Sequence, residues 1–170
     1  LTTTGTGEPW SVSNFGGIEL GTVTLAEAVA QSANTPWIVL LDQGRLDPAA
    51  ADIAARLGIT RPPDEPVYPA VLLGTDMAGP FELAGAYATF ATAGRPSDVH
   101  TVRRILAADG TVLCDAASRP PRPGRVLDAG IAVQIRSALE QAICCGTGTQ
   151  AALGGDVAQF GQTGTTLGGQ

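Results

Sequence analysis

Glycine and proline set the length of almost every element this chain can form. Its 22 glycines and 12 prolines stand mostly at the ends of apolar runs rather than inside them. Thr35-Pro36 opens the run Trp37-Ile38-Val39-Leu40-Leu41, and Gly44 closes it. Proline at the first helical position and glycine just past the last is the asymmetry of helix ends. Asp47-Pro48 with Gly58, and Gly79-Pro80 with Gly94, repeat the device. These three helices are thereby sharply bounded.

The other elements follow from local chemistry. Residues 1–23, with Gly5, Gly7, Pro9, Gly16, Gly17 and Gly21, read as loop with short extended pieces. Thr24-Leu25-Ala26-Glu27 is a capping box, and predicts a helix to about Gln31. Ser32-Ala33-Asn34 breaks it, because Ser and Asn compete for backbone hydrogen bonds; Thr35 then caps the next helix. In the third helix Ile53, Ala54 and Leu57 form the expected inward stripe. Pro62, Pro63, Pro66 and Pro69 make 60–76 a surface loop or crossover. Phe81, Ala84, Ala88 and Leu83, Tyr87, Phe90 recur at helical spacing in the fourth helix. Val99 to Leu113 reads as a hairpin, with Asp109-Gly110 predicting a type I′ turn. After a Pro- and Arg-rich linker at 116–125, Asp128 starts a long helix with Ile131, Ile135, Ala138, Leu139 and Ala142 on one face. Cys145-Gly146-Thr147-Gly148 ends it, and Val157-Ala158 leads into a final strand through Phe160-Gly161-Gln162-Thr163-Gly164-Thr165-Thr166. No internal repeat is present. Helices first, then strands and a helix mixed, predict an α+β arrangement of mixed α/β layers.

At 170 residues, 44% hydrophobic and 15% charged, the chain is globular rather than disordered. A net charge of −6 argues against nucleic acid, whose phosphates require clustered cations. No apolar run approaches the ~20 residues that span a bilayer. The chain opens without Met or a positively charged leader and closes just past its last strand, and both ends read as cut. Cys114, Cys144 and Cys145 lack metal-ligand spacing and read as buried free thiols. No metal and no cofactor is expected. His100, the sole histidine, reads as a surface or strand-edge residue.

Two segments carry donors and acceptors in a pattern useful for binding. Ser32 and Asn34, two positions apart in a tight inter-helix connection, can converge on one cavity; the plainer reading is that they only cap and turn. Gln162-Thr163-Gly164-Thr165 can lay backbone N–H groups and hydroxyls along a peptide-like ligand. Ser-x-Asn, then the helix 82–91, Arg125-Val126-Leu127, Gly146-Thr147-Gly148-Thr149 and x-Thr-Gly-Thr stand in the order found in penicillin-binding transpeptidases. Over nearly its whole length the chain resembles the transpeptidase domain of the class A, bifunctional penicillin-binding proteins.

The resemblance implies a penicillin-binding protein/serine β-lactamase-like fold, incomplete at both ends, with residues 1–170 a partial transpeptidase domain. It implies a serine acyl-enzyme that cross-links peptidoglycan stem peptides and is captured by β-lactams. The parent would be anchored in the bacterial cell membrane and act on its extracytoplasmic face, with a glycosyltransferase domain upstream. The family's Ser-x-x-Lys, nucleophile and base, has no counterpart, because all ten basic residues are arginine; an upstream segment would supply it, and this piece alone would be inactive. By carry-over, Ser32 would move a proton toward the leaving D-alanine nitrogen and Asn34 would bond the acyl-side amide. Thr163 and Thr165 would meet the substrate carboxylate. The Thr165 N–H would complete the oxyanion hole, and Gly164 would let the strand approach. Gln162 stands where the family has lysine, keeping donors but no charge. Weaker substrate and penicillin capture follows, unless an arginine of the full protein supplies the charge. Two rival readings are a catalytically silent penicillin-fold module that binds or scaffolds cell wall and, disfavoured by the helix pattern at 80–94, a β-lactamase-type hydrolase.

Overall fold

The computed structural model describes residues 2–3, 9–44, 47–62, 64–120 and 124–165. Five helices form its frame: α1 (Leu25–Ala30), α2 (Thr35–Gly44), α3 (Asp47–Arg56), α4 (Pro80–Ala91) and α5 (Ala129–Cys145). Two small antiparallel pairs, β1 (Thr2–Thr3) with β2 (Pro9–Trp10) and β3 (Arg104–Leu106) with β4 (Val112–Asp115), complete the α+β architecture. Short 3-10 turns at Phe15–Gly17, Pro69–Leu73, Ala116–Ser118 and Thr149–Ala151 join them.

The capping box at the start of α1 is formed as the sequence predicts. Glu27 N–H donates to Thr24 Oγ1 at 3.2 Å, and Thr24 N–H donates to the Glu27 carboxylate at 2.7 Å. α5 is capped by Asp128, which accepts from the N–H groups of Gly130 and Ile131. At the start of α4, Glu82 accepts from Gly79 N–H at 2.8 Å and from Thr60 N–H at 3.0 Å. That one carboxylate fastens the end of the α3 connection to the α4 N-terminus.

α1 and α4 pack on α5. The α1–α5 seam is built from alanine: Ala28, Ala132 and Ala142 are fully buried, with Ala30 and Ala138 nearly so. Small side chains let the backbones approach closely, and glycine carries this further at the helix ends. A Cβ on Gly146 would overlap the Ala30 carbonyl oxygen. Gly94, in the left-handed region at φ 85°, lies against the Leu127 carbonyl and accepts from Val126 N–H at 2.9 Å. The connection after α4 is thereby pinned to the start of α5.

Several sequence expectations shift. The buried face of α5 centres on Ala132, Ala138, Leu139 and Ala142, while Ile131 is 48% exposed, because the alanine seam rather than the largest side chains decides which face turns inward. Ile53, expected inward on α3, is exposed. The β3–β4 turn is not type I′. That type needs positive φ at both central residues, yet Gly110 (φ 86°) has it and Asp109 does not. The loop is closed by Gly110 N–H to the Ala107 carbonyl and Ala107 N–H to the Thr111 carbonyl, a three-residue connection with glycine at the left-handed position. Cys144 and Cys145 are exposed rather than buried, with their sulfurs against one another, whereas Cys114 is a half-buried free thiol. α2 begins at Thr35, one residue before the expected start.

The largest difference concerns the tail. Residues 158–165 form no ladder with any described strand, and Thr166, the last residue of the expected strand, lies outside the described residues. Their neighbours are the helices α1, α4 and α5 rather than a sheet edge. A strand is defined by a paired neighbour, and helices cannot provide a ladder.

Candidate active site

A cavity of about 350 Å³ opens between the end of α1, the helices α4 and α5, and the tail. Ser32, Asn34, Gln162 and Thr163 line it together with Trp37, Tyr87 and Phe90 and the aliphatic Leu72, Leu73, Ile135 and Leu139. Four of the six residues singled out in the sequence thus meet across about 130 residues of chain. Gly164 and Thr165 follow directly but lie outside the lining, and both are exposed.

The turn that presents Ser32 is made by the end of α1. Ser32 N–H donates to the Val29 carbonyl at 3.0 Å and Ala33 N–H to the Ala28 carbonyl at 2.9 Å. Ser32 takes a left-handed backbone at φ 50°, a conformation that costs a non-glycine residue energy. Its half-buried hydroxyl has no hydrogen-bond partner among the described residues.

Asn34 is held from an unexpected direction. The side-chain oxygen of Asn14 accepts three hydrogen bonds: from Asn34 N–H at 2.9 Å, Thr35 N–H at 3.0 Å and Thr35 Oγ1 at 3.1 Å. The Asn14 amide nitrogen donates to the Ile18 carbonyl at 2.9 Å. Asn34 Nδ2 donates to the Ser13 carbonyl at 3.0 Å, which leaves Asn34 Oδ1 free to accept. Asn14 therefore supplies the acceptor at the N-terminus of α2 that the sequence reading assigned to Thr35. The signal lay in an Asn within the Gly-rich segment 11–21, which satisfies backbone donors in a loop and across one equally well.

The tail is anchored residue by residue. The Phe160 ring stacks on Tyr87, with centroids 6.1 Å apart and planes 10° apart. Gly161 N–H donates to the Leu139 carbonyl at 3.3 Å. Gln162 Nε2 donates to the Val29 carbonyl at 2.9 Å, while its Oε1 accepts from Thr163 N–H at 3.2 Å. Thr163 Oγ1 pairs with Thr147 Oγ1 at 2.6 Å, and Thr147 N–H donates to the Ala30 carbonyl at 3.0 Å. The turn Gly146-Thr147-Gly148 therefore joins the ends of α1 and α5 to the tail. Burial pushes the Tyr87 phenol above its ordinary pKa, so it stays protonated beside the cavity.

No family model matches the chain. Individual proteins do. Penicillin-binding protein 1B of Vibrio cholerae is 32% identical over 161 residues, covering 94% of this chain and 20% of that protein. Penicillin-binding protein 1B of Escherichia coli is 33% identical over 165 residues, covering 94% and 19%. Among solved structures, penicillin-binding protein PonA1 from Mycobacterium tuberculosis matches 78% of this chain and 38% of its own, at 27% identity and a TM-score of 0.67. The chain belongs with the class A penicillin-binding proteins, in their transpeptidase domain.

It spans about a fifth of the length of these curated relatives. The D,D-transpeptidase domain of a peptidoglycan glycosyltransferase from Eggerthella lenta covers 96% of the chain at a TM-score of 0.67, and at 24% identity that is a likeness of fold. The tail is held without strand pairing, by the Phe160 ring on Tyr87 of α4, by Gly161 N–H on the Leu139 carbonyl of α5 and by Gln162 on the Val29 carbonyl of α1. Among the described residues no group of His, Cys, Asp and Glu is placed to hold a metal, and no helix is long and apolar enough to cross a membrane.

Proposed function

We propose that these residues form the substrate side of a serine D,D-transpeptidase site that cross-links peptidoglycan stem peptides through an acyl-enzyme. The observation that carries this reading is the meeting of Ser32, Asn34, Gln162 and Thr163 at one cavity. A relative's structure with penicillin V, PonA1 at 27% identity and a TM-score of 0.65, supports β-lactams as mimics of that substrate.

In this reading the nucleophilic serine and its lysine come from a Ser-x-x-Lys outside these 170 residues. The serine oxygen attacks the penultimate D-alanine carbonyl, the peptide C–N bond breaks, and the leaving nitrogen takes a proton. Ser32, whose hydroxyl has no partner among the described residues, relays that proton. Asn34 Oδ1, free because only its nitrogen is committed to Ser13, accepts from the acyl-side amide N–H. Thr163 and Thr165 receive the C-terminal end of the peptide, and the Thr165 N–H contributes to the oxyanion hole. Gly164 has open space on its Cβ side, which admits the ligand close to the backbone. An acceptor amine then attacks the ester, releasing the serine. The parent protein would be membrane-anchored and work on the extracytoplasmic face.

A second reading, a catalytically silent module that binds or scaffolds cell wall, is favoured by one observation: the chain has no lysine, and Gln162 takes the lysine's place. Labelled penicillin separates the two. The full-length protein is expected to be covalently labelled on the serine of a Ser-x-x-Lys. Absence of label in both the natural protein and its Gln162→Lys variant would rule out the active enzyme.

A further inference from the structure

We propose that Asn14 is a positioning residue of this site, holding the Asn34 side chain in place for the acyl-side amide of the substrate and of a penicillin. The inference rests on the transpeptidase reading for the identity of the ligand, and on the hydrogen bonds around Asn34 for the role.

Asn14 is not among the residues lining the cavity, so it reaches a ligand there only through another residue. Its Oδ1 accepts from Asn34 N–H, Thr35 N–H and Thr35 Oγ1. The carbonyl of the preceding residue, Ser13, accepts from Asn34 Nδ2 at 3.0 Å. Two consecutive residues therefore fix the backbone and the side chain of Asn34 together.

Little else holds Asn34. Ser32 and Ala33 are tied to α1 through their own N–H groups, on the Val29 and Ala28 carbonyls, but those ties stop one residue short of Asn34. On the other side Pro36 has no N–H to give. Among the described residues the Ser13 carbonyl is the one hydrogen-bond partner of the Asn34 side chain. Loss of the Asn14 oxygen thus frees Asn34 before it frees Ser32.

The acceptors themselves come from a closed turn. Asn14 Nδ2 donates to the Ile18 carbonyl at 2.9 Å, and Gly17 N–H donates to the Asn14 carbonyl at 3.0 Å. Gly16 and Gly17, left-handed at φ 67° and 70°, allow so sharp a reversal. The direction from which Asn34 is held is therefore set by the segment 13–18 and not by either helix that flanks the Ser32 turn.

The test is acylation of the full-length protein, followed by mass spectrometry, with two β-lactams. One is benzylpenicillin; the other is penicillanic acid, the same ring system bearing hydrogen in place of the acylamino group. The concentration dependence separates the dissociation constant from the rate of the chemical step. Asn14→Ala is expected to raise the benzylpenicillin dissociation constant about tenfold, the scale of one lost hydrogen bond. The chemical step, and both constants for penicillanic acid, are expected to change by less than about twofold. Asn14→Asp keeps the acceptor and is expected to restore the natural values. In an Asn34→Ala background, Asn14→Ala is expected to add nothing further. Equal losses for the two ligands, or no loss for either, overturn the proposal, as does an effect of Asn14→Ala that persists without the Asn34 side chain. Asn14→Ser, with its acceptor one atom shorter, is read in the same way if the alanine variant fails to fold. Failure of the natural protein to be acylated by either ligand removes the transpeptidase reading itself, and this proposal with it.

Discussion

The side-chain oxygen of Asn14 accepts the backbone N–H of Asn34 at 2.9 Å, twenty residues along the chain. The same atom accepts from Thr35 N–H and Thr35 Oγ1, so one carboxamide sets both the start of α2 and the turn that presents Ser32. Asn14→Ala leaves these part-buried donors without their acceptor and is expected to cost about 1–2 kcal/mol, the range of a lost helix cap. Asn14→Asp keeps the acceptor and is expected to recover most of it. Thermal or urea unfolding of the three proteins checks both outcomes.

Gly146 is chosen for closeness rather than for backbone freedom. A Cβ there would overlap the Ala30 carbonyl oxygen, and both neighbours are backbone at packed helix ends. Gly146→Ala is expected to cost roughly 1–3 kcal/mol, as overpacking does elsewhere, and to lower the unfolding midpoint. A midpoint within error of the natural protein would mean that the α1–α5 seam can open freely.

The hydroxyl pair of Thr147 and Thr163, at 2.6 Å, places Thr147 behind the tail rather than in the cavity lining. Thr147→Val keeps the shape and removes the hydrogen bond. Stability is expected to fall by only about 1 kcal/mol, while acylation by penicillin slows through a freer Thr163. Thr147→Ser restores the hydroxyl and is expected to restore the rate, a rescue that a packing role alone would not produce.

How far the sequence reached differs element by element. α1, α4 and α5 were legible because their ends are chemically marked: Thr24 with Glu27, Gly79-Pro80 with Gly94, and Asp128 all mark them as their residue types dictate. The convergence of Ser32, Asn34, Gln162 and Thr163 was legible only through resemblance, since no local rule joins segments about 130 residues apart. Asn14 was missed because its partners are distant, and loop asparagines are ordinarily spent within their own turn. Ile53 and Ile131 were misplaced because helical spacing was taken to decide burial, whereas on α5 the close approach of α1 turns alanines inward. The tail was read as a strand from its residues, but a ladder needs a neighbour that composition does not reveal.

The carboxylates of Glu27 and Glu82 give the fold a pH dependence. Hydrogen bonds from Thr24, through its backbone and then its hydroxyl, hold Glu27 below its ordinary pKa. The Thr60 hydroxyl, followed by the Gly79 and Thr60 amides, does the same for Glu82. Because the folded pKa lies below the unfolded one, their contribution is fully present above the ordinary carboxylate value, about 4.3. It is lost as pH falls through the lowered folded value. The unfolding midpoint is expected to drop on acidification in that window, and less steeply in Glu27→Gln and Glu82→Gln. Identical pH curves for all three proteins would contradict the assignment.

The central claim is that the Ser32 turn and the tail at Gln162 form one reacting site. The rate of acylation by a labelled penicillin in full-length Ser32→Ala, set against the natural protein, tests it most directly. A proton relay of this kind contributes on the order of 100-fold or more. The account predicts a loss of that size with the unfolding midpoint little changed. An acylation rate equal to that of the natural protein would contradict it.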